Sequence, residues 1–123
     1  MFKQIKRSNI ILYCTNWKET VHFYRDILCL PVNFSNEWFF EFILSSCSRL
    51  SIADEKRTSR KSRKGKGIII TLEVHDVEAA YESALNAGIN PTMVKNHPWG
   101  ARLFYLTDPE GCTIEIWQPS GHG

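Results

Sequence analysis

Glu115 is the acidic residue whose position in this chain best suits chemistry. Ile114 and Ile116 alternate with polar or aromatic residues around it. That period of two is typical of a strand with one apolar face. Glu115 therefore projects from the face opposite the isoleucines, together with Thr113 and Trp117. A carboxylate there is either a solvated strand residue or the floor of a ligand pocket.

A strong turn precedes this strand at residues 108–111, Asp-Pro-Glu-Gly. Asp108 can accept hydrogen bonds from the backbone ahead of it, proline fixes φ, and Gly111 tolerates a positive φ. Such a turn joins two strands, so the pattern predicts a hairpin. Alternation counted back from the turn places Leu103 and Tyr105 on the face of Glu115.

The histidines and cysteines do not have the spacing of a metal site. The cysteines form no C-x-x-C pair and are not spaced with histidines as zinc ligands, so we expect reduced thiols in a cytoplasmic protein. His97, in a loop beside aromatic residues, is the one histidine that we keep as a possible ligand contact. The other histidines are expected to be structural or solvated. These eight residues are Cys14, Cys29, Cys47, Cys112, His22, His75, His97 and His122.

An internal repeat relates residues 8–28 to residues 68–88 by a shift of 60 positions. Ile10 then aligns with Ile70, and Asn16 with Asp76. Strand residues match strand residues and helix caps match helix caps. The chain therefore contains two copies of one unit.

Each copy has the pattern of a strand, a capped helix and further strands. Asn16, with Glu19 three residues on, is predicted to cap the first helix, and Asp76 to cap the second, which Gly88 ends. The apolar stripes are Trp17, Val21, Tyr24 and Leu28 in the first helix, and Val77, Ala80, Tyr81 and Ala84 in the second. Strand-type runs follow at residues 38–44, 50–53, 102–106 and 113–117. We predict an α+β fold in which each helix covers one face of a sheet.

The chain resembles the vicinal oxygen chelate superfamily, which includes glyoxalase I, bleomycin-resistance proteins and extradiol dioxygenases. The resemblance is carried by the turn at 108–111 leading to Glu115, by Phe-Tyr-Arg-Asp at residues 23–26, and by residues 74–80. It implies two βαβββ modules whose curved mixed sheets form a cup, commonly in a homodimer. Enzymes of the superfamily hold a divalent metal in that cup.

At the positions that bind the metal in other members of the superfamily, this chain differs from the superfamily's ligands. Its metal-dependent members have histidines where this chain has Asn9 and Ile69, and a glutamate where it has Glu115. A fourth ligand of some members would fall at residues 51–53, which offer at best a hydroxyl. One carboxylate and one amide are poor ligands for Zn²⁺, Ni²⁺ or Fe²⁺. We therefore expect no metal and no other cofactor.

The charge of the chain is concentrated in one segment. The net charge is +2 over 123 residues, yet residues 54–67 carry seven Lys and Arg against Asp54 and Glu55. We expect a single domain over residues 1–123, with modules at 1–54 and 68–120 joined by a basic, mobile linker at 55–67. The alternative is a phosphate-binding arm, whose binding to nucleic acid would be nonspecific because it has no aromatic residues for stacking.

Aromatic residues are frequent in the strands that would line the cup. Half of them could simply fill the core, but Trp and Tyr also offer flat surfaces with a polar group. Trp99 lies in a loop from which it could close over a ligand. The candidate ligand-binding residues are Asn9, Tyr13, Trp38, Trp99, Tyr105, Glu115 and Trp117.

We predict a metal-independent protein that binds a planar or amphiphilic small molecule and forms a homodimer. No segment resembles a membrane span, so no membrane partner is expected. The first alternative is a metal-dependent lyase, isomerase, thiol transferase or dioxygenase that uses Glu115 with replacement ligands. The second is a dimerisation or regulatory module with an empty cup.

Overall fold

A computed structural model describes residues 1–120, so His122 lies outside the described residues. The chain divides into two compact units, Met1–Lys64 and Gly65–Gly123. Each unit contains a four-stranded sheet. Within residues 1–120, no helix is long and apolar enough to cross a membrane.

The first unit begins with β1 (Ser8–Cys14) and α1 (Trp17–His22), which continues as a π-helical stretch, Phe23–Ile27. The strands β2 (Val32–Ser35), β3 (Phe39–Ser45) and β4 (Ser48–Asp54) follow. Their order in the sheet is β1-β4-β3-β2, with β1 parallel to β4 and the other pairs antiparallel.

The second unit repeats this arrangement. It contains β5 (Ile69–Glu73), α2 (Val77–Asn86), β6 (Lys95–His97), β7 (Ala101–Thr107) and β8 (Thr113–Pro119). The order is β5-β8-β7-β6, again with the first pair parallel. The predicted α+β fold of two βαβββ modules is confirmed, although the strand-type runs of the sequence located neither β2 nor the three-residue β6.

The two predicted helix caps have different outcomes. The Asp76 carboxylate accepts a hydrogen bond from the Ala79 N–H at 3.1 Å, as predicted, and Gly88 has φ +78° where α2 ends. The prediction for Asn16 is wrong, because its side chain makes no capping hydrogen bond. Its backbone has φ −96° and ψ 60°, away from the extended conformation that brings a capping side chain over the first turn.

Each helix packs on one face of its own sheet. We call the opposite face the open face, although in the first sheet Arg49, Ser51 and Ala53 on that face are buried. In the first unit Tyr24 packs on Phe42, with ring centroids 6.1 Å apart. In the second, Tyr81 meets Phe104 edge-on at 5.5 Å. Ile114 and Ile116 are buried on this helix side, as the alternation predicted. Burial of each such side chain contributes about 1.5–3 kcal/mol.

The turn before β8 has the predicted chemistry. The Asp108 carboxylate accepts from the backbone N–H groups of Glu110 and Cys112, each at 2.9 Å, and Gly111 has φ +94°. Gly65 passes so close to this turn that an added Cβ would lie 2.6 Å from the Cys112 Cα. The end of the basic segment is thus packed against the turn that leads to Glu115.

The basic segment has defined local structure. It contains a single 3₁₀ turn, Glu55–Arg57, capped by Asp54. The Glu55 carboxylate accepts from the Ser62 N–H at 2.9 Å, which closes the segment into a loop. Hydrogen bonding of this kind holds a local conformation without an apolar core, and the expected mobility of the segment stays a prediction.

Candidate functional site

The open face of the second sheet brings together four of the predicted site residues, which are Trp99, Tyr105, Glu115 and Trp117. Tyr105 on β7 pairs directly with Glu115 on β8, and Leu103 pairs with Trp117. Directly paired side chains project from the same face of a sheet. We call this surface the aromatic face and define it by Leu103, Tyr105, Glu115 and Trp117, with Trp99 at its end.

Glu115 is held by two hydroxyl groups. Thr71 on β5 donates to its Oε1 at 2.8 Å, and the Tyr105 hydroxyl donates to its Oε2 at 3.3 Å. Burial, followed by the negative charge of Glu115 and the hydrogen bond to it, raises the pKa of Tyr105 above its ordinary value of 10. Tyr105 therefore keeps its proton at neutral pH and donates it to the carboxylate.

Trp99 lies over the end of the aromatic face. A tight turn, in which the Gly100 N–H donates to the His97 carbonyl at 3.0 Å, presents its ring to solvent. The ring is 63% exposed, and its centroid lies 6.4 Å from Trp117 and 6.0 Å from His97. This arrangement leaves a flat apolar surface available at the edge of the face.

A cavity of about 320 Å³ opens beside the aromatic face. Leu103 and Tyr105 form its floor, and Lys95 and His97 come from β6. The complete lining is Thr92, Met93, Lys95, His97, Leu103 and Tyr105. Sequence reasoning missed Thr92, Met93 and Lys95, because a three-residue strand after an irregular segment has no periodicity to recognise. His97, kept above as a possible ligand contact, does lie in this lining.

The predicted site residues of the first unit are placed apart from one another. Asn9 lies on β1 and its Oδ1 accepts from the Ser51 hydroxyl at 2.8 Å. Tyr13 is four residues further along the same strand, about 13 Å away. Trp38 precedes β3 and packs edge-on against Phe39, with centroids 5.6 Å apart. These three residues stay candidates for ligand contact.

Two further charged residues lie on the open face of the first sheet. Arg49 is only 8% exposed, and its Nη1 donates to the carbonyls of Ser45 and Ser48. Its Nε is buried without a hydrogen bond, 3.6 Å from Glu41 Oε2. In the folded sheet Arg49 pairs with Asn9, and Glu41 pairs with Ser51. The sequence pattern did not predict these pairs.

The aromatic residues divide between the two faces of their sheets. Phe40 and Phe42 stack on each other on the helix side of the first sheet, and Phe104 packs edge-on against Tyr81 on the helix side of the second. Trp99, Tyr105 and Trp117 lie instead on the open side.

A family model of the Glyoxalase/Bleomycin resistance protein/Dioxygenase superfamily matches residues 6–116. The chain belongs to this superfamily. It is 27% identical over 129 residues to YraH, an uncharacterized protein of Bacillus subtilis (strain 168), covering 93% of this chain and 98% of the relative.

Solved structures of the superfamily share its fold. A lactoylglutathione lyase from Agrobacterium tumefaciens superposes with a TM-score of 0.75 at 18% identity, covering 94% of this chain and 95% of the other. TnmS3, an antibiotic binding protein from Streptomyces sp. CB03234, superposes with a TM-score of 0.75 at 19% identity, covering 97% and 98%. These similarities show the fold and leave the function to be argued from the residues.

The residues of this superfamily member do not fit a divalent metal. Ile69 offers no donor atom, and the amide oxygen of Asn9 already accepts from Ser51. Glu115 has two hydroxyl neighbours in place of imidazoles. Within residues 1–120, no three His, Cys, Asp or Glu side chains lie close enough to hold a metal ion. A catalytic transition metal requires a richer set of nitrogen, sulfur or carboxylate ligands.

Proposed function

We propose that this protein binds a planar or amphiphilic organic molecule on the aromatic face, without a resident metal. The cavity that continues from Tyr105 is the observation that carries the proposal. Small-molecule sites are concave and mainly apolar, with a few polar groups that orient the ligand. Met93, which is 72% exposed, supplies apolar surface above the buried Leu103, and the Tyr105–Glu115 pair supplies the polar group.

The indole rings support a planar ligand. Trp99 and Trp117 are inclined at 56° with centroids 6.4 Å apart, so each has a ring face free of the other. Stacking on an aromatic side chain contributes about 0.5–1.5 kcal/mol beyond the buried area. An antibiotic-binding relative shows that this fold can serve binding, and the donor set around Glu115 favours binding over metal-dependent catalysis.

A thermal-shift screen of planar compounds and divalent metals tests the proposal. A ligand that binds only the folded state increases the free energy of unfolding, by about 2.7 kcal/mol at 100 times Kd, and so raises the melting temperature. We expect stabilisation by planar amphiphiles in metal-free buffer, and a smaller shift in the Trp117→Ala variant. Stabilisation by metals alone, abolished by Glu115→Gln, would contradict the proposal and favour the enzyme.

We further propose that two copies of the chain form a dimer in the cytoplasm. The edge strands β1 and β5 expose isoleucines, with Ile10 58% and Ile69 57% exposed. Unpaired edges with apolar side chains favour pairing with another chain, and a second copy presents the same edges.

Light scattering should give twice the chain mass, and Ile69→Lys should lower this mass. Val32→Lys, on the edge strand β2, is the matched control; a monomeric wild type would contradict the proposal.

A further inference from the structure

We propose that the ligand of this site is a planar molecule with two chemically different ends. This inference rests on the proposed function. One end carries an anionic group, held by Lys95 and His97. The other carries a hydrogen-bond donor, received by Glu115 and Tyr105.

The charges on the open face of the second sheet are separated by strand. Lys95 lies on β6 opposite Leu103, and Leu103 lies opposite Trp117 on β8. Glu115 lies on β8 two residues before Trp117, and Glu73 pairs with Trp117 from β5. The face therefore changes from basic at β6, through apolar at its centre, to acidic at β8 and β5.

The acidic end can only accept hydrogen bonds. Both hydroxyl protons there are already used, because Thr71 and Tyr105 each donate to Glu115. A carboxylate has room for about four hydrogen bonds, and a phenol oxygen retains acceptor capacity after its proton is donated. A ligand group that reaches this end must therefore bring its own proton.

The basic end favours an anion. The Lys95 ammonium has donors and no acceptor. Among residues 1–120, Lys95 makes no ion pair. It lines the cavity beside the apolar side chains of Met93 and Leu103. A carboxylate or sulfonate that enters from the apolar side would meet this free charge, and a charge-assisted hydrogen bond is about twice as strong as a neutral one.

The spacing of the two ends sets the size of the ligand. Lys95 and Glu115 are separated by two strand spacings, about 10 Å, and by two residues along the strand, about 7 Å. A fused two-ring system with a substituent at each end fits this apolar interval between Lys95 and Glu115 and lies against the ring of Trp117.

Calorimetric titration with three naphthalenes tests the inference. The probes are 6-hydroxynaphthalene-2-sulfonate, naphthalene-2-sulfonate and 2-naphthol, which carry both groups, the anion only and the donor only. We expect the first to bind about tenfold more tightly than either of the others, the gain of one charged contact. Lys95→Gln should weaken binding of both sulfonates and leave 2-naphthol unchanged, and Glu115→Gln should weaken the two hydroxyl compounds.

Lys66→Gln is the matched control, because Lys66 is an exposed lysine of the same unit outside the cavity. It should leave all three affinities unchanged, and unchanged melting temperatures establish that each variant folds. Equal binding of the three probes, or equal effects of the two lysine variants, would overturn the two-ended ligand while the binding proposal stands. Absence of binding by these probes and by every planar compound in the screen would overturn both.

Discussion

Tyr105 and Glu115 face each other across β7 and β8, and the tyrosine hydroxyl donates to the carboxylate at 3.3 Å. This pair joins the cavity, which Tyr105 lines, to the carboxylate of the aromatic face. A ligand that contacts the Tyr105 ring therefore lies close enough to Glu115 to interact with its negative charge.

Removing that charge should change the titration of Tyr105. The pKa of Tyr105 is raised first by burial and then by Glu115, so Glu115→Gln should lower it while leaving it above the ordinary value. Ultraviolet absorbance during alkaline titration, with Tyr105→Phe subtracted to isolate this residue, measures the shift. An unchanged titration would mean that the pair does not form in solution.

The two tryptophans Trp17 and Trp117 should have different roles. Trp17 donates from Nε1 to the Ile52 carbonyl at 2.9 Å and packs on Phe40. Its ring is only partly buried, so Trp17→Ala should destabilise the fold by less than the roughly 3 kcal/mol expected for a fully buried ring. Trp117→Ala should mainly weaken ligand binding, several-fold for one lost stacking contact of about 0.5–1.5 kcal/mol. Denaturant unfolding and fluorescence titration separate the two effects. A destabilised Trp117→Ala with intact affinity would make the aromatic face part of a core.

Purified protein should contain well under one equivalent of transition metal. The positions of Asn9 and Ile69 lack imidazoles, and Glu115 alone is a weak ligand. Elemental analysis after growth in metal-rich medium is the measurement, with Glu115→Gln as the control. A stoichiometric metal that disappears in this variant would show that replacement ligands exist.

The basic segment at residues 56–66 should be dispensable for folding. Its hydrogen bonds are mostly exposed, and changing the length of a connection alters closure entropy by only about 0.6 kcal/mol per doubling. A Gly-Ser replacement that keeps Gly65, which packs against the turn at Cys112, should melt within a few degrees of the wild type. A large fall in melting temperature, or loss of the dimer, would show that the segment packs or pairs.

Cys112 should be unreactive in the folded protein. Burial, and then the charge of Asp108, raises the pKa of its thiol to about 11. Its contribution to stability is complete below the ordinary value of 9 and is lost as the pH rises towards 11. Alkylation at pH 8 followed by mass spectrometry should label the exposed Cys29 and Cys47 and spare Cys112. Rapid labelling of Cys112 would indicate local opening of the turn.

Local chemistry made much of the fold predictable. The alternation around Glu115, the turn at 108–111 and the Asp76 cap each depend on residues a few positions apart, and the structure has all three. The 60-residue repeat likewise predicted two similar units. The Asn16 cap failed, because the residue type permits a cap and the backbone geometry of the folded chain decides whether one forms.

The sequence by itself determined the face on which Glu115 lies, because that follows from short-range alternation and turn chemistry. The helix caps, the strand-type runs and the 60-residue repeat indicated an α+β fold, and the resemblance of particular motifs indicated the superfamily. Only the tertiary structure decided which side chains meet on that face. Thr71 reaches Glu115 from 44 residues away through the parallel pairing of β5 and β8. Lys95 enters the cavity from the three-residue strand β6, and Met93 enters it from the irregular segment just before that strand. Contacts of this kind depend on strand register between distant segments, which no local pattern encodes.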